Sequence, residues 1–172
     1  NYRFEAAYLQ VRDVMESGVL GEIYDIKIRR GAYERRDDWQ AVKRCAGGAA
    51  LLWGSAYLDQ ALELLKTPPV KMWSDLKRVA AVGDAEDYVR IILRNHAGLT
   101  VDLEISGGRI GSVPLFVVTG TKGQFTLYPG AAEGSLRYLD PKQKLARRRS
   151  SVRTPPLGSF GTPETLRWLE AK

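Results

Sequence analysis

Strict two-residue alternation of apolar and polar side chains is the feature that most restricts the fold of this chain. In residues 99–105 four apolar side chains alternate with polar ones. Similar short segments are residues 22–30, 70–77, 87–94, 114–119, 124–128 and 135–139. Such alternation predicts strands with one buried side. The connections at 95–98 and 120–123 contain glycine and predict hairpins, so we expect a predominantly antiparallel sheet.

Two other segments have the spacing of amphipathic helices. Residues 3–17 carry an apolar stripe at helical spacing and end at Ser17-Gly18, whereas residues 48–65 end before Pro68-Pro69. Each helix has to bury its apolar stripe, and the apolar face of the sheet is the available surface. The expected fold class is therefore α+β, a two-layer domain with an open sheet and helices packed on one face.

The chain divides by composition near residue 139. Residues 1–139 contain the predicted helices and strands, and we expect them to form the folded α/β domain. Residues 140–172 are rich in basic residues, Pro and Gly, which predicts an extended segment. Thr162-Pro163-Glu164 has the pattern of a helix start and predicts a short terminal helix.

Composition excludes several classes of function. The single Cys45 rules out an internal disulfide and a cysteine-based zinc site, and one histidine leaves little for metal binding, so no metal is expected. No apolar run is long enough to span a bilayer, no secretory signal is visible, and a cytoplasmic location is expected. Much of the net charge of +6 comes from the basic run 142–153. This run has no interleaved aromatic residues, so a solvated charge run is favoured over a nucleic-acid site.

Five motifs occur in a fixed order along the first 130 residues. They are Ser17-Gly18-Val19-Leu20-Gly21-Glu22-Ile23, the loop Arg35-Arg36-Asp37-Asp38-Trp39, the helical segment from Gly47 to Gln60, Gly83-Asp84-Ala85-Glu86-Asp87-Tyr88, and Gly120-Thr121-Lys122-Gly123. Together they resemble the C-terminal domain of the Gfo/Idh/MocA oxidoreductases, the relatives of glucose-fructose oxidoreductase and inositol dehydrogenase.

The resemblance implies that this chain is one part of a longer protein. Full-length members have an upstream Rossmann domain that binds NAD or NADP, and the second domain supplies the pocket for a small sugar-like or polyol substrate. Members of the family often form homo-oligomers through the open face of this sheet. The family's Glu-Lys-Pro motif with its catalytic lysine belongs to the upstream domain, and it does not occur here. A Gly-x-Gly-x-x-Gly loop between a strand and a helix is also missing, so these residues alone are expected to bind no cofactor and to catalyse no reaction.

The family's active-site helix commonly carries an acid and a histidine four residues apart, on one helix face. By position these fall on Leu52 and Ala56, which cannot transfer a proton, whereas the later acid matches Asp59. Three explanations stay open: redox activity has been lost, the upstream lysine and other groups supply the chemistry, or the two residues were replaced deliberately.

The resemblance and the loop position give five candidate substrate-binding residues: Arg35, Arg36, Asp38, Trp39 and Asp59. The arginine and aspartate side chains would orient hydroxyl groups, and the indole would stack on the substrate. A solvated loop and a paired helix acid are the simpler alternatives. The second hypothesis for the whole chain is a non-catalytic binding or oligomerisation module, which would use the sheet face formed by Tyr88, Arg90, Ile92, Thr100, Asp102 and Glu104.

Overall fold

The computed structural model describes residues 2–145 and 165–172. Most of the basic run, from residue 146 onward, therefore lies outside the described residues. The helices and strands are α1 (Ala6–Ser17), β1 (Ile23–Gly31), α2 (Ser55–Leu65), β2 (Lys71–Lys77), β3 (Tyr88–Arg94), β4 (Thr100–Ser106), β5 (Phe116–Gly120), β6 (Gly123–Leu127), β7 (Ser135–Leu139) and β8 (Trp168–Ala171).

All eight strands form one open sheet in the order β2-β3-β4-β1-β5-β6-β7-β8. The neighbouring strands run antiparallel except β1 and β4, which are parallel. Both predicted hairpins are present, joining β3 to β4 and β5 to β6. The predicted α+β class with a predominantly antiparallel open sheet is confirmed.

The two α-helices of the described residues pack against one face of this sheet, α1 over β5 and β6 and α2 over β4. Their apolar stripes meet the alternate strand residues Ile26, Ile28, Val101 and Leu103, each with no exposed surface. Burying this apolar area supplies the main stabilisation of the fold. The opposite face of the sheet carries the charged and polar residues of the same strands.

The open sheet face is held together by a small network of ion pairs. Asp102 accepts hydrogen bonds from Arg29 at 3.0 Å and from two nitrogens of Arg90 at 3.0 and 3.1 Å. Asp102 is only 6% exposed, so this carboxylate is nearly enclosed by its two partners. Burial raises its pKa, but the hydrogen bonds from Arg90 and Arg29 outweigh burial and leave the pKa below its ordinary value.

The predicted short terminal helix is wrong over the described residues. Trp168–Ala171 form strand β8, which pairs antiparallel with β7. The sequence pattern suggested a helix because Thr162-Pro163-Glu164, which lie outside the described residues, resemble a local cap. Pairing with the free edge of β7 decides the conformation of the last residues, and no local pattern records such a partner.

The predicted helix over 48–65 starts in a different form. Residues Ala50–Gly54 form a π-helical turn, and the regular α-helix α2 begins only at Ser55. The first helix is also preceded by a separate 3-10 turn, Tyr2–Phe4. No helix in the described part of the chain has the length and apolarity to cross a bilayer.

Candidate functional site

A cavity of about 560 Å³ lies where the π-helical turn meets the C-terminal ends of β1 and β4. Its walls come from six parts of the chain that are far apart in sequence. They are residues 2–5, the end of β1 with the following loop, the π-helical turn with the start of α2, the 81–87 loop, the end of β4 with the following segment, and residues 129–130. A concave site of this size with a few polar groups is the usual form of a small-molecule binding site.

Arg30, Trp53 and Tyr57 form one wall of this cavity. The guanidinium carbon of Arg30 lies 4.0 Å from the centroid of the Trp53 ring and 5.9 Å from that of Tyr57. Arg30 Nη1 also donates a hydrogen bond to Tyr57 Oη at 3.3 Å. Stacking on an indole fixes the plane of a guanidinium, so these contacts orient the charged end of Arg30.

Tyr57 is held from its other side by the N-terminal 3-10 turn. The rings of Tyr2 and Tyr57 meet edge to face, with centroids 5.5 Å apart. Gln60, one turn later in α2, donates a hydrogen bond to the backbone oxygen of Tyr2 at 2.7 Å. Burial raises the pKa of Tyr57 against the opposing effect of the hydrogen bond from Arg30, so the phenol is neutral at physiological pH.

Only some residues of the π-helical turn and of the start of α2 reach the cavity. Leu52 and Tyr57 both line it, whereas Ala56 is not among the lining residues. Trp53, within the π-helical turn, and Tyr57, in α2, also line it four residues apart, the spacing at which residues share one face of a helix.

Two carboxylates in the cavity wall are engaged by backbone N–H groups. Glu86 Oε1 accepts from the N–H of Ala50 at 3.1 Å, at the start of the π-helical turn. Asp87 accepts from three successive N–H groups of residues 79–81 at 2.7 to 2.8 Å. These bonds hold the turn and the 79–81 loop in place, so both acids shape the cavity through the backbone.

Of the candidates in the loop after β1, Arg36 alone lines the cavity. It bonds Asp38 at 2.6 Å and Glu34 at 3.4 Å, and the hydrogen bond from Arg36 lowers the pKa of Asp38. Asp38 also accepts from the Gln40 N–H and caps the 3-10 turn Trp39–Ala41. Trp39 is 55% exposed, and Arg35 lies in a separate surface depression beside residues 78–82.

Asp59 lies away from the cavity lining. Its carboxylate pairs with Arg3 at 2.6 Å, on the side of α2 that faces the N-terminal 3-10 turn. The structure therefore brings Arg36 and Asp38 together but does not bring them to Asp59. The roles of the five candidates in substrate binding stay predictions.

The residues missed by sequence reasoning are Arg30, Trp53 and Tyr57. One signal was present in the sequence. Arg30 continues the series Tyr24, Ile26, Ile28 on the apolar face of β1, and an arginine at such a position needs a specific environment. Its aromatic partners lie in another element, so the sequence could not name them.

A dinucleotide does not fit the described residues. Its phosphates are normally bound by a glycine-rich turn that joins a strand to the N-terminus of a helix. Here the Gly107-Gly108 segment after β4 returns to Tyr33 through an isolated bridge, and no helix follows it. Among the described residues there is also no group of three or more His, Cys, Asp or Glu side chains placed to hold a metal ion.

The described residues thus form an open, mostly antiparallel sheet with two helices on one face and a cavity at the start of the second helix. The sequence matches the GFO/IDH/MocA C-terminal domain over residues 8–126. The chain therefore belongs to the Gfo/Idh/MocA family and corresponds to its C-terminal domain.

Individual relatives agree with this assignment. An uncharacterized oxidoreductase of Schizosaccharomyces pombe is 28% identical over 134 residues, which cover 73% of this chain and 36% of the relative. The chain thus spans about a third of the length of that relative. In fold it is similar to an NAD-binding protein from Listeria innocua, with a TM-score of 0.75 and 22% identity over 81% of this chain and 41% of that one.

A further solved structure shows the same fold. It is an oxidoreductase from Agrobacterium radiobacter in complex with NAD+, L-tartaric acid and magnesium, with a TM-score of 0.64 and 23% identity. The match covers 81% of this chain and 41% of that one.

Proposed function

We propose that this chain is the substrate-side domain of an NAD(P)-dependent oxidoreductase that acts on small sugar-like or polyol substrates. The observation that carries the proposal is the cavity wall formed by Arg30, Trp53 and Tyr57. Guanidinium and phenol groups hydrogen-bond to hydroxyl groups, and an indole packs against the apolar face of a sugar. The cavity is also large enough for a molecule of this class.

An upstream Rossmann domain would cover the cavity and hold the cofactor. Three large apolar side chains that are each next in sequence to a lining residue are exposed: Phe4 is 79% exposed, Leu51 64% and Trp39 55%. Exposed apolar patches mark interfaces, so the upstream domain would cover these side chains. The structural relative from Agrobacterium radiobacter was solved with NAD+, which supports a nicotinamide cofactor as the hydride carrier. NAD and NADP stay open as alternatives.

The chain's own residues would bind and orient the substrate. Leu52 and Ala56 cannot transfer a proton, so the proton would move through other groups, among them the lysine that the family carries in the upstream domain. The residues of this chain alone are therefore expected to have no turnover. The single exposed thiol, Cys45, is compatible with a reducing compartment, and a cytoplasmic location remains part of this proposal.

The test uses the full-length parent protein and a panel of sugars and polyols, with formation of NADH or NADPH followed by absorbance. Leu52→Trp would fill the cavity, and we expect this variant to abolish the reduction of NAD or NADP by the substrate. Arg12→Gln removes a charge from the exposed side of α1 and serves as the matched control. Full activity of Leu52→Trp, or hydride transfer by the 172-residue chain alone, would overturn the proposal.

A second candidate function is a non-catalytic oligomerisation module, which the open sheet face favours. Trp73, Ile92, Asp102, Lys27 and Val117 lie side by side across five neighbouring strands. This row combines apolar groups with an ion-pair network, as interfaces between subunits often do.

The second candidate is tested by the molar mass of the 172-residue chain from light scattering. We expect an oligomer for the natural sequence and a monomer for Ile92→Asp. Arg12→Gln should leave the molar mass unchanged, because Arg12 lies on the helix layer. A monomeric natural chain, or an Ile92→Asp variant that still assembles, would contradict a role of this face.

A further inference from the structure

Arg30 differs from the other arginines of the cavity in having no acidic partner. Arg29 pairs with Asp102, and Arg36 pairs with Glu34 and Asp38. Arg30 is half-buried. In the described part of the chain, no carboxylate lies within ion-pair distance of it. A partly desolvated cation without a counter-charge is unfavourable, so a ligand that carries a negative charge would stabilise it.

Tyr57 offers a second hydrogen-bond donor beside this cation. Arg30 donates to the phenol oxygen at 3.3 Å, and the phenol hydrogen has no acceptor among the described residues. A phenol can donate and accept at the same time. The bond from Arg30 therefore leaves the hydrogen of Tyr57 available to a ligand that contacts both groups.

Trp53 fixes the geometry of the pair. The centroid of the indole ring lies 4.0 Å from the guanidinium carbon of Arg30, and this cation–π contact restricts the orientation of the guanidinium. An arginine fork held in one orientation matches the two oxygens of a planar carboxylate. The cavity is also lined by acids such as Glu34 and Glu86, which repel a dianion more strongly than a monoanion, so a single carboxylate fits the one unpaired cation better than a phosphate.

We propose that Arg30 and Tyr57 bind a carboxylate of the substrate, so that the substrates are polyhydroxy acids rather than neutral polyols. This inference rests on the proposed substrate-side function and narrows its substrate class. Trp53 would position Arg30 and cover the apolar side of the carbon chain.

The experiment compares two probes that differ at one carbon, D-gluconate and D-glucitol. Each is titrated into the isotope-labelled 172-residue chain, and shifts of the Trp53 indole and Tyr57 signals give the dissociation constant by NMR. We expect D-gluconate to bind about tenfold or more tightly than D-glucitol, which is the usual effect of one charged hydrogen-bonded pair.

The variants test each contact separately. Arg30→Gln should remove the preference for D-gluconate, and Arg30→Lys should keep part of it because the charge remains without the fork. Tyr57→Phe should weaken D-gluconate binding by about threefold to tenfold through loss of one donor. Arg12→Gln, which removes a charge outside the cavity, should bind both probes like the natural chain.

Equal affinity for the two probes, no saturable binding of D-gluconate, or an Arg30→Gln variant that keeps the preference would each overturn the inference. If Arg30→Gln unfolds, the Arg30→Lys and Tyr57→Phe results decide the matter, and unaltered D-gluconate affinity in both overturns it. The titration needs no cofactor and no upstream domain. If the parent protein oxidises neutral polyols but does not bind D-gluconate, only the inference of a carboxylate site is overturned. If the chain binds D-gluconate but the parent protein transfers no hydride, only the proposed oxidoreductase function is overturned.

Discussion

Arg3 and Asp59 form a two-point ion pair between the N-terminal 3-10 turn and α2. Arg3 Nε lies 2.6 Å from Oδ2 and Nη2 lies 2.6 Å from Oδ1, so one guanidinium occupies both carboxylate oxygens. Glu63 Oε2, one turn later, lies 2.9 Å from Arg3 Nη1 in a second ion pair. The pair holds the 3-10 turn against α2, and that turn carries Tyr2, which contacts Tyr57 in the cavity wall.

We expect Asp59→Asn to lower the Tm by about 1–3 °C, because an ion pair with both side chains 47% exposed contributes little in water. The hydrogen bond from Arg3 lowers the pKa of Asp59. The contribution of this ion pair to the stability of the fold is therefore present above the ordinary aspartate pKa, and it disappears as the pH falls through the lowered pKa of Asp59. Calorimetry at neutral and acidic pH measures both effects, and Asp13→Asn on the exposed side of α1 is the control. A large Tm loss that persists in acid would contradict this explanation.

Asp102→Asn should destabilise the protein more strongly, by about 2 kcal/mol at neutral pH, since it leaves Arg29 and Arg90 without their shared carboxylate. The pKa of Asp102 in the folded state is below its ordinary value. Its stabilisation is thus complete above the unfolded-state pKa and is lost as the pH falls through the folded-state pKa.

Urea unfolding of the natural chain and of Asp102→Asn across this pH range gives the difference directly. The two free energies of unfolding should converge in acid. Asp25→Asn, which breaks a weaker contact to Lys27 at 3.6 Å on the same face, should cost less than about 0.5 kcal/mol. A cost for Asp25→Asn equal to that for Asp102→Asn would show that the network has no special role.

Histidine substitutions distinguish the cavity position from its neighbour. In Tyr57→His the imidazole would lie in a buried site beside Arg30, and both burial and the cation oppose its protonation. We expect its pKa to fall below the ordinary value of about 6.5. In Ala56→His the imidazole would lie outside the cavity lining, and its pKa should stay near that value.

The imidazole C2–H signal in a pH titration by NMR measures these values, and the signal of His96 gives a reference in both spectra. The direction of this pKa shift also sets the pH dependence of stability. Because the imidazole pKa is lower in the folded state, Tyr57→His loses stability as the pH falls through the unfolded-state pKa. A depressed pKa in Ala56→His and an ordinary one in Tyr57→His would show that the helix presents residue 56 to the cavity.

Asn95→Ala should lower the free energy of unfolding by about 2 kcal/mol. The Asn95 amide donates to the Leu65 carbonyl at 3.0 Å, and its oxygen accepts from the Leu99 N–H at 3.0 Å. The residue is buried, so its removal leaves two backbone groups without partners. His96→Ala, at the exposed neighbouring position, should change stability by less than about 0.5 kcal/mol. Urea unfolding compares the two, and similar costs would contradict the proposed role of the Asn95 bonds.

The strands were predictable because alternation is a local property. Val101, Leu103 and Ile105 are buried on the helix side of β4, as their spacing indicated. The hairpin at 120–123 was predictable because its turn residues are also a local property. Gly120 is required there because a Cβ would collide with the backbone oxygen of Leu20. The order of the motifs was sufficient to indicate the family, which the match over residues 8–126 confirms.

The site was predictable only in part. The helix after Gly47-Gly48 was predicted and Leu52 lines the cavity, whereas its role as an active-site helix stays a prediction. The π-helical turn was not predicted, because the four-residue spacing of the family motif assumes a regular α-helix. The prediction of a helix at the end of the chain was also wrong, since the conformation of Trp168–Ala171 depends on pairing with the edge of β7.

By itself the sequence determined the periodicities, the turns and the family, because these depend on residues that are neighbours in the chain. Tertiary structure alone decided which side chains meet. Arg30 and Tyr57 are 27 residues apart, and they come together only when α2 packs on the sheet. The cost of closing such a loop is repaid by burial of the whole helix face, so the contact is a consequence of global packing and leaves no local pattern in the sequence.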